Sequence, residues 1–245
     1  MRRFFVENDR ITDNVAHILG EEVKHITKVL RLGKGDEVIL FDEAGWEYRA
    51  KIINGNPKEL KADILEKVFP QRESSLEIIL GQGLPRLSKM DLIVQKATEL
   101  GISQILTFNS HRSIPKLSGE KILKRVERWR KIALEATKQC GRNSIPYIGS
   151  PVDFSEILAK DLENGLKLML WEGEAGSLSK VFDASPDQNR FFVLVGPEGG
   201  FTYREVQEAE KAGFNIVSTG KRILRSETAS ISILSVIQHR FGDLN

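Results

Sequence analysis

The sequence predicts an α/β fold, a mostly parallel sheet with helices on both faces, preceded by a smaller β-rich segment. Three observations predict it. After Ser75, apolar runs of strand length alternate with longer stretches of helical period. Several of those runs end in a glycine loop, most clearly Phe191-Phe192-Val193-Leu194-Val195 before Gly196-Pro197-Glu198-Gly199-Gly200-Phe201. Before Ser75, strand-like runs with apolar–polar alternation dominate instead.

The elements follow in order. Val23, Ile26, Val29 and Leu30 recur at helical spacing and predict a short helix within 21–32. Residues 36–42 predict a strand, Glu43-Ala44-Gly45 a turn, and 46–53 a half-buried strand that completes a hairpin. Residues 60–68 predict another strand. Pro70 marks 69–73 as a linker, so the predicted domains are 1–70 and 73–245. Beyond it come a strand over 76–81, a helix over 89–100 stopped by Gly101, and a strand over 104–108. A long helix over 120–139 carries Ile122, Val126, Trp129, Ala133 and Ala136 on one stripe. Strands follow over 166–171 and 191–195. The next helix, 203–212, opens with the capping box Thr202-Tyr203-Arg204-Glu205 and stops at Gly213. A strand over 215–219 and a helix over 227–241 close the pattern.

Composition excludes several classes. With 40% hydrophobic and 29% charged residues the chain has the make-up of a water-soluble globular protein. Its single cysteine, Cys140, rules out an internal disulfide framework and fits a reducing, cytoplasmic setting. No long apolar stretch follows Arg2-Arg3, so no signal peptide is expected, and no apolar run reaches the roughly 18 residues of a membrane span. The net charge of +2 is unevenly spread. Residues 86–146 hold 13 Lys and Arg against 5 Asp and Glu, a local +8, whereas 147–245 hold 10 against 14. A basic middle points to a polyanionic partner or to a solvated helix face.

Familiar ligand motifs are absent. Gly81-Gln82-Gly83-Leu84-Pro85-Arg86 does not complete a dinucleotide fingerprint, and no phosphate loop or G-x-S-x-G elbow occurs. His17, His25, His111 and His239 lack zinc-ligand spacing and read as packing or surface residues, so no metal is expected. What remains is two glycine loops, 196–201 and 219–225, each following a predicted strand and leading into a helix. Ligands of open α/β sheets bind where such loops sit.

Those loops carry a resemblance. Gly196-Pro197-Glu198-Gly199-Gly200-Phe201, then Gly220-x-Arg222-Ile223-Leu224-Arg225-x-Glu227-Thr228-Ala229, resembles the signature of the RsmE-type ribosomal RNA methyltransferases of the SPOUT superfamily. Lys96-Ala97-Thr98-Glu99-Leu100-Gly101, His111-Arg112-Ser113, the run from Arg128-Trp129 to Arg142, and His25 through Asp36 resemble further family elements in the same order. Two positions depart from it: Thr219 stands where Leu is usual, and Ser230 where Pro is common. The resemblance implies a PUA-like β-barrel over 1–70 and a trefoil-knotted methyltransferase domain over 73–245. It also implies a homodimer that uses S-adenosylmethionine to methylate uridine N3 in 16S rRNA of the small subunit. The alternatives are a SPOUT enzyme acting on a ribose 2′-OH or guanine N1, and a non-catalytic RNA-binding assembly factor.

S-adenosylmethionine has no phosphates, so the missing phosphate loop agrees with it. The expected cofactor contacts are Leu170; Gly196, Pro197, Glu198, Gly199 and Gly200; and Thr219, Gly220, Ile223, Leu224, Arg225 and Thr228. Methylating N3 requires loss of its proton, which a cation near the base favours, and Arg225 is the candidate unless it pairs with Glu198 or Glu227. Glu198 and Glu227 are candidate general bases or helix caps. Arg3, Arg31, Lys96, Arg112 and Arg142 are candidate RNA contacts, each equally readable as a surface charge.

Overall fold

The computed structural model describes residues 2–56, 58–113, 119–160 and 162–244. They divide into two compact units. One holds the chain up to Glu73 together with Thr137–Ile145, and the other holds Ser74–Ala136 and the chain from Pro146 onward.

The first unit is a six-stranded sheet. Its strands are β1 (Arg3–Phe5), β2 (Ile11–Thr12), β3 (Val15–Leu19), β4 (Glu37–Phe41), β5 (Glu47–Gly55) and β6 (Glu59–Val68), ordered β1-β4-β5-β6-β3-β2. Only β1 and β4 run parallel. The predicted hairpin is β4–β5. Its turn is organised by buried Asp42, whose carboxylate accepts from the N–H groups of Ala44 (3.0 Å) and Trp46 (2.9 Å) and from the Tyr48 hydroxyl (2.8 Å). Register shifts at Arg49/Ala50 and Ile52/Asn54 bend β5 against β6. The sheet therefore curls into a half-barrel around Phe4, Ile18, Ile26, Val38, Leu40 and Ile52, and no ladder joins β1 to β2 among the described residues. Strands β1 and β2, of three and two residues, are too short to show a period, and β3 escaped prediction as well. The predicted helix begins as α1 (Glu21–Lys24), widens into a π turn over His25–Val29, and ends where Arg31 takes φ 56°.

Residues 137–145 join this unit through buried polar contacts. Glu73 accepts from Arg142 Nε (2.8 Å) and from the N–H groups of Asn143 (2.8 Å) and Ser144 (3.0 Å). A boundary placed in the 69–73 linker alone leaves this segment out.

The second unit contains eight strands, every pairing parallel. They are β7 (Glu77–Gly83), β8 (Gln104–Asn109), β9 (Tyr147–Ile148), β10 (Val152–Asp153), β11 (Leu166–Leu170), β12 (Gly176–Ser177), β13 (Arg190–Val195) and β14 (Asn215–Ser218). The order is β10-β8-β7-β13-β11-β14-β12, with β9 also on β8. Its helices are α2 (Leu87–Glu99), α3 (Glu120–Cys140, whose last turn lies in the first unit), α4 (Phe154–Leu158), α5 (Leu178–Asp183), α6 (Tyr203–Lys211) and α7 (Ser226–Phe241). On one face Ile79, Met169, Phe192 and Leu194 pack with Ile157 of α4 and Val206 and Ala209 of α6. On the other, α7 lies on β13 and against α2, with the Phe241 ring 5.0 Å from those of Phe191 and Phe182. Burial on both faces is why β13 reads as an unbroken apolar run. The predicted capping box of α6 forms: Thr202 Oγ1 accepts from the Glu205 N–H (3.3 Å) and Glu205 Oε2 from the Thr202 N–H (2.7 Å). Strands β9, β10 and β12 and helices α4 and α5 are too short to show a period.

Burial opposes the charge of Glu73, but the Arg142 guanidinium and the two backbone donors outweigh it and hold the carboxyl below its ordinary value of 4.5. Because the folded value is depressed, its contribution is present above pH 4.5 and is lost as pH falls through the folded value. Glu73→Gln is expected to lower unfolding free energy by about 2 kcal/mol at pH 7 and by clearly less near pH 3, read from urea melts. An equal loss at both pH values would show that the charge is not what matters.

Candidate functional site

The carboxyl ends of β13, β11 and β14 lie side by side, and the loops that follow them enclose a cavity of about 420 Å³. Its walls are Leu170, Trp171 and Glu172 after β11, the 196–201 loop after β13, and the 217–226 segment after β14. Lys89 of α2 and Ala229 of α7 complete it. A topological position of this kind is where open α/β sheets bind ligands.

The 196–201 loop turns tightly at Gly200, where φ is +66° and a Cβ would lie 2.4 Å from Glu172 Oε1. It is seated on β7 at Gly83, where a Cβ would stand 2.7 Å from Pro197 Cδ and 3.0 Å from its N. Gly83 thus serves close packing of two loops, which is the use of a glycine run that had read only as a failed nucleotide motif.

A buried polar network ties the first glycine loop to the start of α7, which directly follows the second loop. Gln82, wholly buried at the end of β7, donates from Nε2 to Gly83 O (2.9 Å) and Ser226 Oγ (3.0 Å). Its Oε1 accepts from Ser230 Oγ (2.6 Å), and Ser226 Oγ donates to Gly196 O (2.6 Å). One amide therefore anchors both the first residue of the 196–201 loop and the first turn of α7. Ser230, met in the sequence as a departure from the resemblance, is a member of this network.

The charged groups are sorted by the same geometry. Lys89 Nζ lies 3.1 Å from Glu227 Oε2 and 3.4 Å from Glu198 Oε1. Glu198 also accepts from the Arg86 N–H (3.1 and 3.3 Å). Burial opposes its ionisation, but hydrogen bonds from its own N–H and that of Arg86, with Lys89 beside it, hold the carboxyl below the ordinary range. Arg225 makes no ion pair among the described residues. It is exposed on the cavity wall and is the N-cap residue of α7. Lys89 takes the carboxylates that Arg225 would otherwise have claimed, leaving the guanidinium available.

Most of the residues singled out from the sequence come together here. Leu170, Gly196, Pro197, Glu198, Gly200, Thr219, Gly220, Ile223, Leu224 and Arg225 line the cavity. Gly199 and Thr228 do not: Gly199 lies against Arg112, and Thr228 is exposed on the first turn of α7. Glu227 points at Lys89 and is absent from the lining. Of the candidate RNA contacts, Arg3 and Arg142 have largely buried side chains. Arg3, side chain 10% exposed, donates to Arg142 O (3.0 Å) and Asn143 Oδ1 (2.8 Å) and lies 3.2 Å from Glu47. Arg142, side chain 8% exposed, is engaged by Glu73 at 2.7 Å. Arg112 donates to Gly199 O (2.9 Å) and so props the glycine loop. Lys96 pairs with Glu99 one turn on (2.8 Å), and Arg31 is exposed. Lys89, Gln82 and Ser226 were missed, because none carries a local signal that separates it from an ordinary helix or strand residue.

Comparison with known proteins agrees with this architecture. The family model of the RNA methyltransferase domain matches residues 72–238, and that of the RNA methyltransferase PUA domain matches residues 18–65. The chain is 32% identical to the ribosomal RNA small subunit methyltransferase E of Bacillus subtilis, over 98% of this chain and 97% of that protein. The crystal structure of a ribosomal RNA small subunit methyltransferase E from Neisseria gonorrhoeae bound to S-adenosyl methionine superposes with a TM-score of 0.90 at 32% identity, covering both chains completely. A putative methyltransferase from Legionella pneumophila in complex with the same cofactor gives 0.91 at 31% identity, over 99% of this chain and 98% of that one.

Replacing Gln82 by the similarly sized Met removes the amide, so Ser226 Oγ loses the donor it accepts from and Ser230 Oγ one of its two acceptors, while each keeps a backbone carbonyl to donate to. The expected cost is about 2 kcal/mol. In a chain of this length that is a fall in Tm of roughly 4–8 °C. An unchanged Tm in calorimetry would show that the network does not hold the loops.

Proposed function

We propose that the chain, which belongs to the RNA methyltransferase family, transfers the methyl group of S-adenosylmethionine to N3 of a uridine in 16S rRNA of the small subunit. The single observation that carries this reading is the cavity: it is walled by two loops that bring Gly196, Gly200 and Gly220 to its surface, and the sequence has no phosphate-binding loop motif. Its volume of about 420 Å³ falls within the usual range for small-molecule sites. Gly220, at φ +135° with nothing within 4 Å of where a Cβ would stand, leaves one wall open to a ligand. Leu170, Ile223 and Leu224 would offer apolar surface to the adenine ring, and N–H and C=O groups of the two loops its polar edge. When bound, S-adenosylmethionine supplies a methyl group on a positively charged sulfur, open to attack by a nucleophile.

Uridine N3 becomes that nucleophile only after losing its proton. The chain supplies positive potential where the base would enter. Arg225 lies on the wall, and the N-terminus of α7, with Ser226 and Ala229 also lining the cavity, adds the positive end of a helix dipole. Both favour the ionised imide over the neutral one. Glu198 is poorly suited to receive the proton, since its carboxyl is held below the ordinary range and already caps Arg86. Glu227 is committed to Lys89. The work therefore falls to Arg225, with water taking the proton. Because N3 lies on the pairing edge, the target uridine must be unpaired when it enters.

The same reading takes the enzyme to be a homodimer in the cytoplasm. Val236 of α7, 43% exposed, leaves apolar surface beside the second loop for a second copy. A monomeric mass in sedimentation would remove the dimer.

Incubation with labelled S-adenosylmethionine and undermethylated small subunits should place the label in N3-methyluridine after digestion. Label in a 2′-O-methyl nucleoside or 1-methylguanosine would move the enzyme to another target atom, and cofactor binding without transfer would favour an assembly factor. Arg225→Ala is expected to lower kcat by about 10²-fold or more while the cofactor Kd stays within about threefold. A fall confined to cofactor affinity would reject the assigned role.

A further inference from the structure

The basic middle of the sequence has found no use in the cavity. Its charge lies largely on α3, which carries Lys121, Lys124, Arg125, Arg128, Arg130, Lys131 and Lys138 against Glu120, Glu127 and Glu135. Lys121, Lys124, Arg125 and Arg128 follow the i, i+3, i+4, i+7 spacing that places them on one face. That face is turned away from the stripe of Val126, Trp129 and Ala133, all of which are buried. Some helical cations elsewhere on the surface are matched within a turn, as Lys96 is by Glu99 and Arg204 by Glu208. Lys121, Lys124 and Arg125 have no carboxylate partner among the described residues. Unmatched cations in a row have a cost in mutual repulsion that a polyanion removes.

The position of the row is also informative. Arg128, at its end, grips Asp91 of α2 with Nε (3.0 Å) and Nη2 (2.7 Å). Asp91 lies two residues from Lys89, whose ammonium lines the cavity. Residues two apart on a helix stand on nearly opposite sides of it, so the row lies across α2 from the Lys89 side of the cavity. From Lys121 to Arg128 the helix rises about 10 Å, which matches about three phosphates of a nucleic-acid strand.

We infer that the face of α3 formed by exposed Lys121 and Lys124 and half-buried Arg125 is a backbone-tracking surface for the substrate RNA, engaging phosphates of the strand beyond the nucleotide held in the cavity. This rests on the proposed RNA substrate and adds to it a location. The contacts are to phosphate, so they supply affinity and register and carry no sequence information. Arg128, held by Asp91, sets the angle of the row against α2. The buried Arg3 and Arg142 have no part in it.

The test is the triple variant K121E/K124E/R125E in the full chain, assayed by filter binding to naked 16S rRNA over a salt series. The dissociation constant is expected to rise at least tenfold at about 0.1 M salt, and the slope of log K against log salt to fall in magnitude by about 2–3, near 0.7–0.9 for each lost phosphate contact. Cofactor Kd and Tm serve as fold controls and should match the parent, because Lys121 and Lys124 are exposed, Arg125 is half-buried without a carboxylate partner among the described residues, and all three lie outside the cavity. K121Q/K124Q/R125Q should show the same slope change with a smaller loss of affinity. Parental affinity and slope in both variants would overturn the proposal and mark α3 as an ordinary solvated face. Binding is read without turnover, so a parent that binds RNA but forms no N3-methyluridine would sink the proposed reaction while leaving this surface tested.

Discussion

The buried amide of Gln82 is the constraint on which the rest of the site depends. It sits at the carboxyl end of β7, a strand that contributes nothing to the cavity lining. Through Ser226 and Ser230 it fixes the start of α7, and through Ser226 it fixes Gly196. Glycine loops have much conformational freedom, and a binding site made of bare backbone works only if that freedom has been removed before the ligand arrives. Buried hydrogen bonds do this directionally, since any slip of either loop leaves a polar atom without a partner in a medium where that is costly. The close seat of Pro197 on Gly83 adds the steric half of the same constraint.

Electrostatics in the site are arranged around this frame. Lys89 reaches from α2 to Glu198 and Glu227 and so joins the two loops a second time, now by charge. The consequence is a division of labour among groups of similar chemistry. The two carboxylates pair with Lys89, and Arg225, on the cavity wall, has no ion-pair partner among the described residues. Arg112 illustrates the opposite assignment, an arginine spent on the carbonyl of Gly199 to support the loop from outside. In the first unit Arg3 and Arg142 are likewise consumed by Glu47, Glu73 and Asn143. Positive charge is useful for RNA only where the fold has left it unpaired, and the exposed face of α3 is such a place.

The sequence by itself determined the class of the fold and the two loops that matter. Alternation of strand and helix periods, the glycine stops after α2 and α6, and the capping box at Thr202 are all local, and local signals survive without knowledge of what packs where. The loops could be read because glycine and proline act on their own backbone. Short elements such as β1, β9 and α4 carried no period and were invisible, and the role of residues 137–145 depended on contacts made across some seventy positions. Only the tertiary structure decided which charges are free. Whether an arginine meets phosphate or a buried carboxylate depends on distances of a few ångströms between residues such as Glu73 and Arg142, or Lys89 and Glu227. Coulomb and hydrogen-bond energies fall off over that same range, and spacing along the chain does not record it.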